Sequence, residues 1–251
     1  MTHKPSVILT GSSGGIGAHV TAKLIDAGWH VIGLDLESPD VALPADFDFI
    51  AYDLADLATG EEAGKALLAE LQKRPAFVAA KGLVNNAATQ IIAPAHELPV
   101  SDFTRTLDVN LVAAFQMSRL CFDVLSKNAG SIVNVSSIHA RLSKKTFAAY
   151  AVSKAALSAL TRSLALEWGD RVRVNGIEPA AIETDMLRAG FGDEWQEKRA
   201  ALAGLHPSGD IGQADDVFQI VALLLQGETR FLNGSIIQLD GGIAGVLHDP
   251  D

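Results

Sequence analysis

The stretch Ser6-Val7-Ile8-Leu9-Thr10-Gly11-Ser12-Ser13-Gly14-Gly15-Ile16-Gly17 decides the architecture. A short apolar run stops at a glycine turn, and an amphipathic stretch, 15–27, starts inside that turn. This reads as strand, tight turn and helix. Glycines allow close backbone approach, and the first amides of such a helix point outward as donors carrying partial positive charge.

The alternation continues outward from there. Candidate strands lie at 6–10, 30–35, 48–52, 82–85, 131–135, 172–177 and 235–239, and helical periodicity fills 15–27, 57–72, 101–126, 147–168 and 214–225. Apolar runs alternating with amphipathic ones are the βαβ pattern of a parallel sheet. Several strands are apolar almost throughout, as expected when helices cover both faces. No linker, repeat or low-complexity segment interrupts the rhythm, so 1–251 reads as one α/β domain. The exception is 183–207, with Gly190, Gly192, Gly204 and many charges. It reads as one or two short helices on flexible joints, either a substrate lid or a solvated excursion.

Composition narrows the possible partners. With 48% hydrophobic and 20% charged residues, the 251-residue chain can build a substantial core. Twenty basic and 30 acidic side chains leave a net charge of −10, which suits solubility. The densest cationic patch is only Arg141, Lys144 and Lys145, so nucleic acid is not an expected partner. Cys121 is the sole cysteine, which excludes an internal disulfide or thiolate cluster; its apolar surroundings, 117–125, mark it as core filler. The N-terminus lacks signal-peptide features, and no apolar run reaches membrane-spanning length. A soluble, cytoplasmic protein is expected. His3, His19, His30, His96, His139, His206 and His248 are scattered without ligand spacing, so no metal site is expected and most read as surface or turn residues.

Two further features give the glycine turn a chemical meaning. Asp35 ends the second candidate strand, about 20 residues past the turn, where an acid accepts from the hydroxyls of an adenosine ribose. It would repel a 2′-phosphate, and no arginine or lysine in the turn or just after Asp35 offsets that. NAD is therefore expected in preference to NADP. Tyr150 and Lys154, in Tyr-Ala-Val-Ser-Lys, stand four residues apart on one helical face. A cation beside a phenol lowers its pKa from about 10, so the pair suggests proton exchange with an alcohol or ketone. A competing motif exists. Gly11-Ser12-Ser13-Gly14-Gly15 also fits G-x-S-x-G, which would make Ser13 a hydrolase nucleophile. Such elbows normally follow several strands, and that reading leaves Asp35, Tyr150 and Lys154 without roles.

Together these motifs resemble the short-chain dehydrogenase/reductase family over nearly the whole chain. The matches are Thr10-Gly11…Gly15-Ile16-Gly17, Asp53-Leu54, Asn85-Asn86-Ala87-Ala88, Asn110 and Ser136-Ser137, followed by Tyr150…Lys154, Asn175 to Pro179, Thr184 and Asp240-Gly241-Gly242. The resemblance implies a Rossmann-like, doubly wound sheet of seven parallel strands with helices on both faces, and usually a homotetramer. Long helices at 101–126 and 147–168 are the interface candidates.

Residue by residue, the resemblance implies a catalytic tetrad of Asn110, Ser137, Tyr150 and Lys154. Tyr150 would act as acid or base, Lys154 would tune it and bond the nicotinamide ribose, and Ser137 would polarise the substrate oxygen. Asn110 would hold a water that relays protons from Lys154 to solvent. The implied cofactor set is Gly11, Ser13, Gly15, Ile16, Gly17, Asp35 and Leu36, with Asp53 and Leu54 at the adenine. Asn86, Ala87 and Ala88 line its middle, and Pro179, Ile182 and Thr184 hold the nicotinamide end. Ala88 and Ala180 replace glycines usual in the family, each adding a methyl beside the cofactor. Gln90, His139 and Arg141 are substrate candidates, with Phe191 and Trp195 as apolar cover or lid anchors. The expected substrate is a small polar alcohol: a hydroxy acid, a sugar or a polyol. The enzyme alternative is an NADP(H)-dependent ketoacyl or carbonyl reductase.

Overall fold

The computed structural model describes residues 4–39, 44–189, 191–228 and 230–247; His3, Gly190 and His248 lie outside them. The strands are β1 (Ser6–Thr10), β2 (His30–Asp35), β3 (Phe47–Ala51), β4 (Ala80–Asn85), β5 (Ser131–Val135), β6 (Arg173–Pro179) and β7 (Ile236–Leu239). The helices are α1 (Gly15–Asp26), α2 (Glu61–Gln72), α3 (Val100–Leu107), α4 (Ala113–Lys127), α5 (Ala148–Trp168), α6 (Asp185–Ala189), α7 (Trp195–Leu205) and α8 (Ala214–Gln226).

All seven strands pair in parallel in the order β3-β2-β1-β4-β5-β6-β7. The chain winds outward from β1 to β3, returns to β4 beside β1, and winds the other way. Strand order therefore reverses between β1 and β4, where open α/β sheets bind ligands. Thr10 registers with Leu34 and with Asn85, so β1, β2 and β4 end level and carry the glycine turn, Asp35 and Asn86 on one edge.

The two-residue period of the strands builds two cores. From β1, Val7 and Leu9 pack with Val20 and Leu24 of α1 and Val217, Val221 and Leu224 of α8. Ile8 points to the opposite face, among Leu67 and Leu71 of α2, Met117 and Leu125 of α4, and Leu164 of α5. Cys121 belongs to this second core, and burial pushes its thiol up to about 12, an inert filler. Among the described residues no helix is long and apolar enough to cross a membrane. Nor does any group of three or more His, Cys, Asp and Glu there suit a metal ion.

The helices differ from the sequence reading at two places, 57–72 and 101–126, while 183–207 holds the short helices expected there. The stretch predicted at 57–72 begins instead as a tight turn, Leu54–Thr59, capped by Asp53, and restarts at Gly60 as α2. The long helix expected at 101–126 is divided into α3 and α4 by a widened π turn, Asp108–Val112, centred on Asn110. Between β6 and α8, α6 and α7 are joined by a short turn, Gly192–Glu194. Arg199 ties α7 to Glu183 (3.0 Å) and Asp210 (3.0 Å). Hydrogen bonds from Arg188, Gln213 and Arg199 hold the Glu183 carboxyl down at about 2.

Candidate active site

The glycine turn is a cradle with its donors exposed. No side chain caps the N-terminus of α1, so the first-turn amides face the cleft unclaimed. Gly11 has φ of 68°, and a Cβ there would lie 2.8 Å from Cα of Ala87. A Cβ on Gly17 would lie 1.7 Å from the Gly11 carbonyl oxygen, so only glycine permits this helix-to-turn contact. Asn86 stitches β4 to the turn, its Nδ2 donating to the carbonyls of Thr10 (3.2 Å) and Gly11 (3.0 Å). The amides of Asn86 and Ala87 both donate to Thr10 Oγ1 at 3.1 Å. Ala88 is half-buried on the same loop.

Asp35 closes one side of the cradle. Its Oδ2 accepts from the Ser13 amide (2.9 Å) and its Oδ1 from the Leu36 amide (2.8 Å), which turns the carboxylate toward the cleft with lone pairs to spare. Leu36 is exposed beside it, and Ile16 is half-buried on α1. Asp53 accepts from the Ala55 amide and from Arg105; both bonds, the amide's first, hold its carboxyl below the usual range. Leu54 is buried next to it. On the opposite wall, Pro179 ends β6 and Ile182 bridges to Gly212. The Thr184 methyl lies 3.6 Å from the point a Gly15 Cβ would occupy. The loop after β6 thus reaches back over the glycine turn. These residues suit a dinucleotide: free amides for a pyrophosphate and a carboxylate for a ribose.

Ser13 fits the hydrolase reading poorly. Its hydroxyl donates to the Glu37 carbonyl (2.8 Å), where a nucleophile would need an imidazole. The nearest histidine in sequence, His19, contacts Asp215 instead.

Three of the four residues expected to form a tetrad meet where β5 and α5 converge. Ser137 follows β5, caps the short turn Ile138–Ala140 and hydrogen-bonds the Tyr150 phenol. Lys154, fully buried on α5, has Nζ 5.6 Å from the centre of the Tyr150 ring and donates to the Val135 carbonyl at 2.8 Å. Desolvation lowers this amine to about 7. Desolvation also raises the Tyr150 pKa, and the Ser137 hydrogen bond only partly offsets it. This corrects the sequence expectation, since Lys154 does not depress the phenol here. Burial opposes phenolate and ammonium alike.

Asn110 joins the group indirectly. Its Oδ1 accepts from the Thr89 amide (2.8 Å), and its Nδ2 donates to the Thr89 carbonyl (2.9 Å) and to Ser153 Oγ (2.9 Å). The side chain is spent on pinning the loop after β4 to α5, so any water it serves must rest on its backbone.

An aromatic cluster flanks Tyr150. The His139 ring stacks on Phe147, with centroids 4.6 Å apart and planes within 7°, and meets the edge of Tyr150 at 5.7 Å. Thr146 holds φ of 72°, a costly conformation for a β-branched residue, just before Phe147. Burial, then Lys144, lowers the His139 pKa, so the ring is neutral at physiological pH. Gln90 is exposed on the loop that Asn110 anchors. Arg141, considered as a carboxylate clamp, already holds one, because its Nε donates to Glu178 Oε2 at 2.6 Å. Sequence reasoning gave no role to Phe147 or Glu178. The signal for Glu178 was a charge directly after the strand read at 172–177, where burial requires a cation.

A family profile described as enoyl-(acyl carrier protein) reductase matches residues 11–244. The chain is 31% identical to 3beta-hydroxysteroid dehydrogenase 1 of Eggerthella lenta, over 95% of this chain and 93% of that one. It is 33% identical to 2-dehydro-3-deoxy-D-gluconate 5-dehydrogenase of Pseudoalteromonas atlantica, over 95% of each. The ligand-free aldohexose dehydrogenase of Thermoplasma acidophilum superposes with a TM-score of 0.89 at 28% identity, covering 99% of this chain and 98% of that one. The fold and cleft define a nicotinamide-dependent oxidoreductase acting on CH–OH groups. The chain belongs to the short-chain dehydrogenase/reductase family.

Proposed function

We propose that this enzyme is an NAD(H)-dependent dehydrogenase that interconverts a secondary alcohol and a ketone on a small polar substrate. The observation carrying the reading is the convergence of Ser137, Tyr150 and Lys154 at the sheet edge that also bears the glycine cradle and Asp35. A nicotinamide dinucleotide bound there supplies the hydride acceptor or donor. Tyr150 takes the hydroxyl proton in oxidation and returns it in reduction, and Ser137 donates to the substrate oxygen as charge develops. Lys154 holds the nicotinamide ribose, and the backbone of the Asn110 turn carries the proton relay.

Asp35, with Glu37 two residues on, favours NAD over the extra phosphate of NADP. Among substrates, a neutral His139 and an Arg141 already paired favour sugars and polyols over hydroxy acids. Segment 183–207 acts as the lid, with Trp195 and Phe191 paired at 6.2 Å as its anchor. Exposed Phe115 on α4 and Val152 and Leu166 on α5 suit subunit packing in a homotetramer in the cytoplasm. The test is a screen of D-threitol, D-glucose, D-gluconate and related compounds with NAD, following absorbance of the reduced nicotinamide. Turnover of a polyol or sugar is expected. No NAD binding by calorimetry and no turnover would end this reading, and tighter NADPH binding would transfer it to the carbonyl-reductase class.

A further inference from the structure

Glu178 is 2% exposed at the end of β6, and the reaction just described gives it no work. Both of its oxygens are committed: Oε2 accepts from Arg141 Nε at 2.6 Å and Oε1 from Ser158 Oγ at 2.8 Å. Ser158 Oγ lies 2.9 Å from Ser136 Oγ, and Ser136 in turn donates to the Lys154 carbonyl at 2.8 Å. This chain of contacts joins the ends of β5 and β6 to the turn of α5 that carries Lys154. Its outer end is Arg141, whose amide bonds to the Ile138 carbonyl and closes the short turn holding Ser137 and His139. Asp240 Oδ2, buried and without a hydrogen bond of its own, faces Arg141 Nη2 at 3.8 Å from the end of β7.

We propose that Arg141 and Glu178 are positioning residues whose ion pair sets Ser137 and His139 against Tyr150 and Lys154. The catalytic part of this inference rests on the dehydrogenase reading. The physical argument is the cost of a stranded buried carboxylate. The folded chain must keep a cation over Glu178, and Arg141 can stay there only if the turn at 137–141 keeps its shape. Ser137 and the site's aromatic wall are therefore held from below by charge, while the loop's outer face remains open to solvent. Neither residue touches the reacting atoms; they act through Ser137, His139 and Lys154.

The experiment compares Arg141→Ala with the double variant Arg141→Met, Glu178→Gln by hydrogen exchange, NAD calorimetry and steady-state kinetics on D-threitol or whichever screened polyol is fastest. In Arg141→Ala, amides 139–142 are expected to exchange about tenfold faster or more, with β1 and α1 unchanged. Turnover falls about tenfold, while NAD affinity stays within about twofold. The double variant no longer strands Glu178, although Asp240 still loses its cation, so it regains part of the thermal stability but neither the slow exchange nor the turnover. If Arg141→Ala does not fold, the double variant decides alone. Native exchange and native turnover in the double variant would overturn the proposal, as would a loss of protection spread evenly over β1 and α1. Absence of turnover in the unaltered enzyme would sink the dehydrogenase reading instead, and the exchange data would still report on the pair.

Discussion

Lys154 Nζ sits 5.6 Å from the centre of the Tyr150 ring, yet its hydrogen bond runs to the Val135 carbonyl, 2.8 Å away. The amine is thus anchored to the end of β5 rather than to the phenol it was expected to tune. Both groups are desolvated, so the phenol keeps its proton and the amine gives up its own from about pH 7 upward. A positive charge on oxidised nicotinamide, were it bound beside Tyr150, would shift the balance toward phenolate.

Tyr150→Phe removes the hydroxyl proposed to exchange the proton while keeping the ring against His139 and Phe147. Turnover is expected to fall by roughly 10²–10⁴-fold, the range for loss of a general acid or base. NAD affinity, measured by calorimetry, should change little.

Lys154→Met tests the cost of burying the amine. Below about pH 7 the amine is protonated in folded and unfolded chains alike, and the folded state bears the full desolvation cost. Between about 7 and the ordinary value of 10.5, only the unfolded chain holds the proton, so stability rises with pH. The methionine variant should therefore be more stable at pH 6, on the order of 2–4 kcal/mol, despite being inactive. The gain should shrink steadily toward pH 10. Thermal unfolding across that range checks it, and an equal gain at every pH would contradict it.

Asp35→Ala strips the carboxylate that the Ser13 and Leu36 amides orient. NAD binding should weaken about 10-fold or more, the scale of about 1.5–3 kcal/mol for hydrogen bonds to a charged group. NADP binding should weaken far less, or improve. Titration of both cofactors measures the ratio.

Gly17→Ala places a methyl 1.7 Å from the Gly11 carbonyl oxygen, a distance no packing can absorb. Either α1 shifts or the turn opens. A loss of about 2 kcal/mol or more is expected, together with loss of cofactor binding. Denaturant unfolding and calorimetry on one preparation would read both.

The sheet was legible because its strands are short, apolar and regularly spaced between amphipathic stretches. All seven appear within a few residues of their predicted limits. The helices were read less well where a side chain intervenes in the backbone ladder. Asn110 bonds across to Thr89 and Ser153 beside a widened turn, and periodicity does not report such a bond. His206, one of seven histidines that the sequence did not tell apart, is 5% exposed, with Nδ1 on the Leu202 carbonyl.

By itself the sequence determined the αβ alternation, the glycine cradle with Asp35, and the spacing of Tyr150 and Lys154, because each depends on neighbours close along the chain. Only the tertiary structure decided what those groups face. Arg141 and Glu178 are 37 positions apart and meet only because β5 and β6 lie side by side. The direction of each pKa shift likewise follows from burial, which is set by what packs around a group and not by what precedes it in the chain.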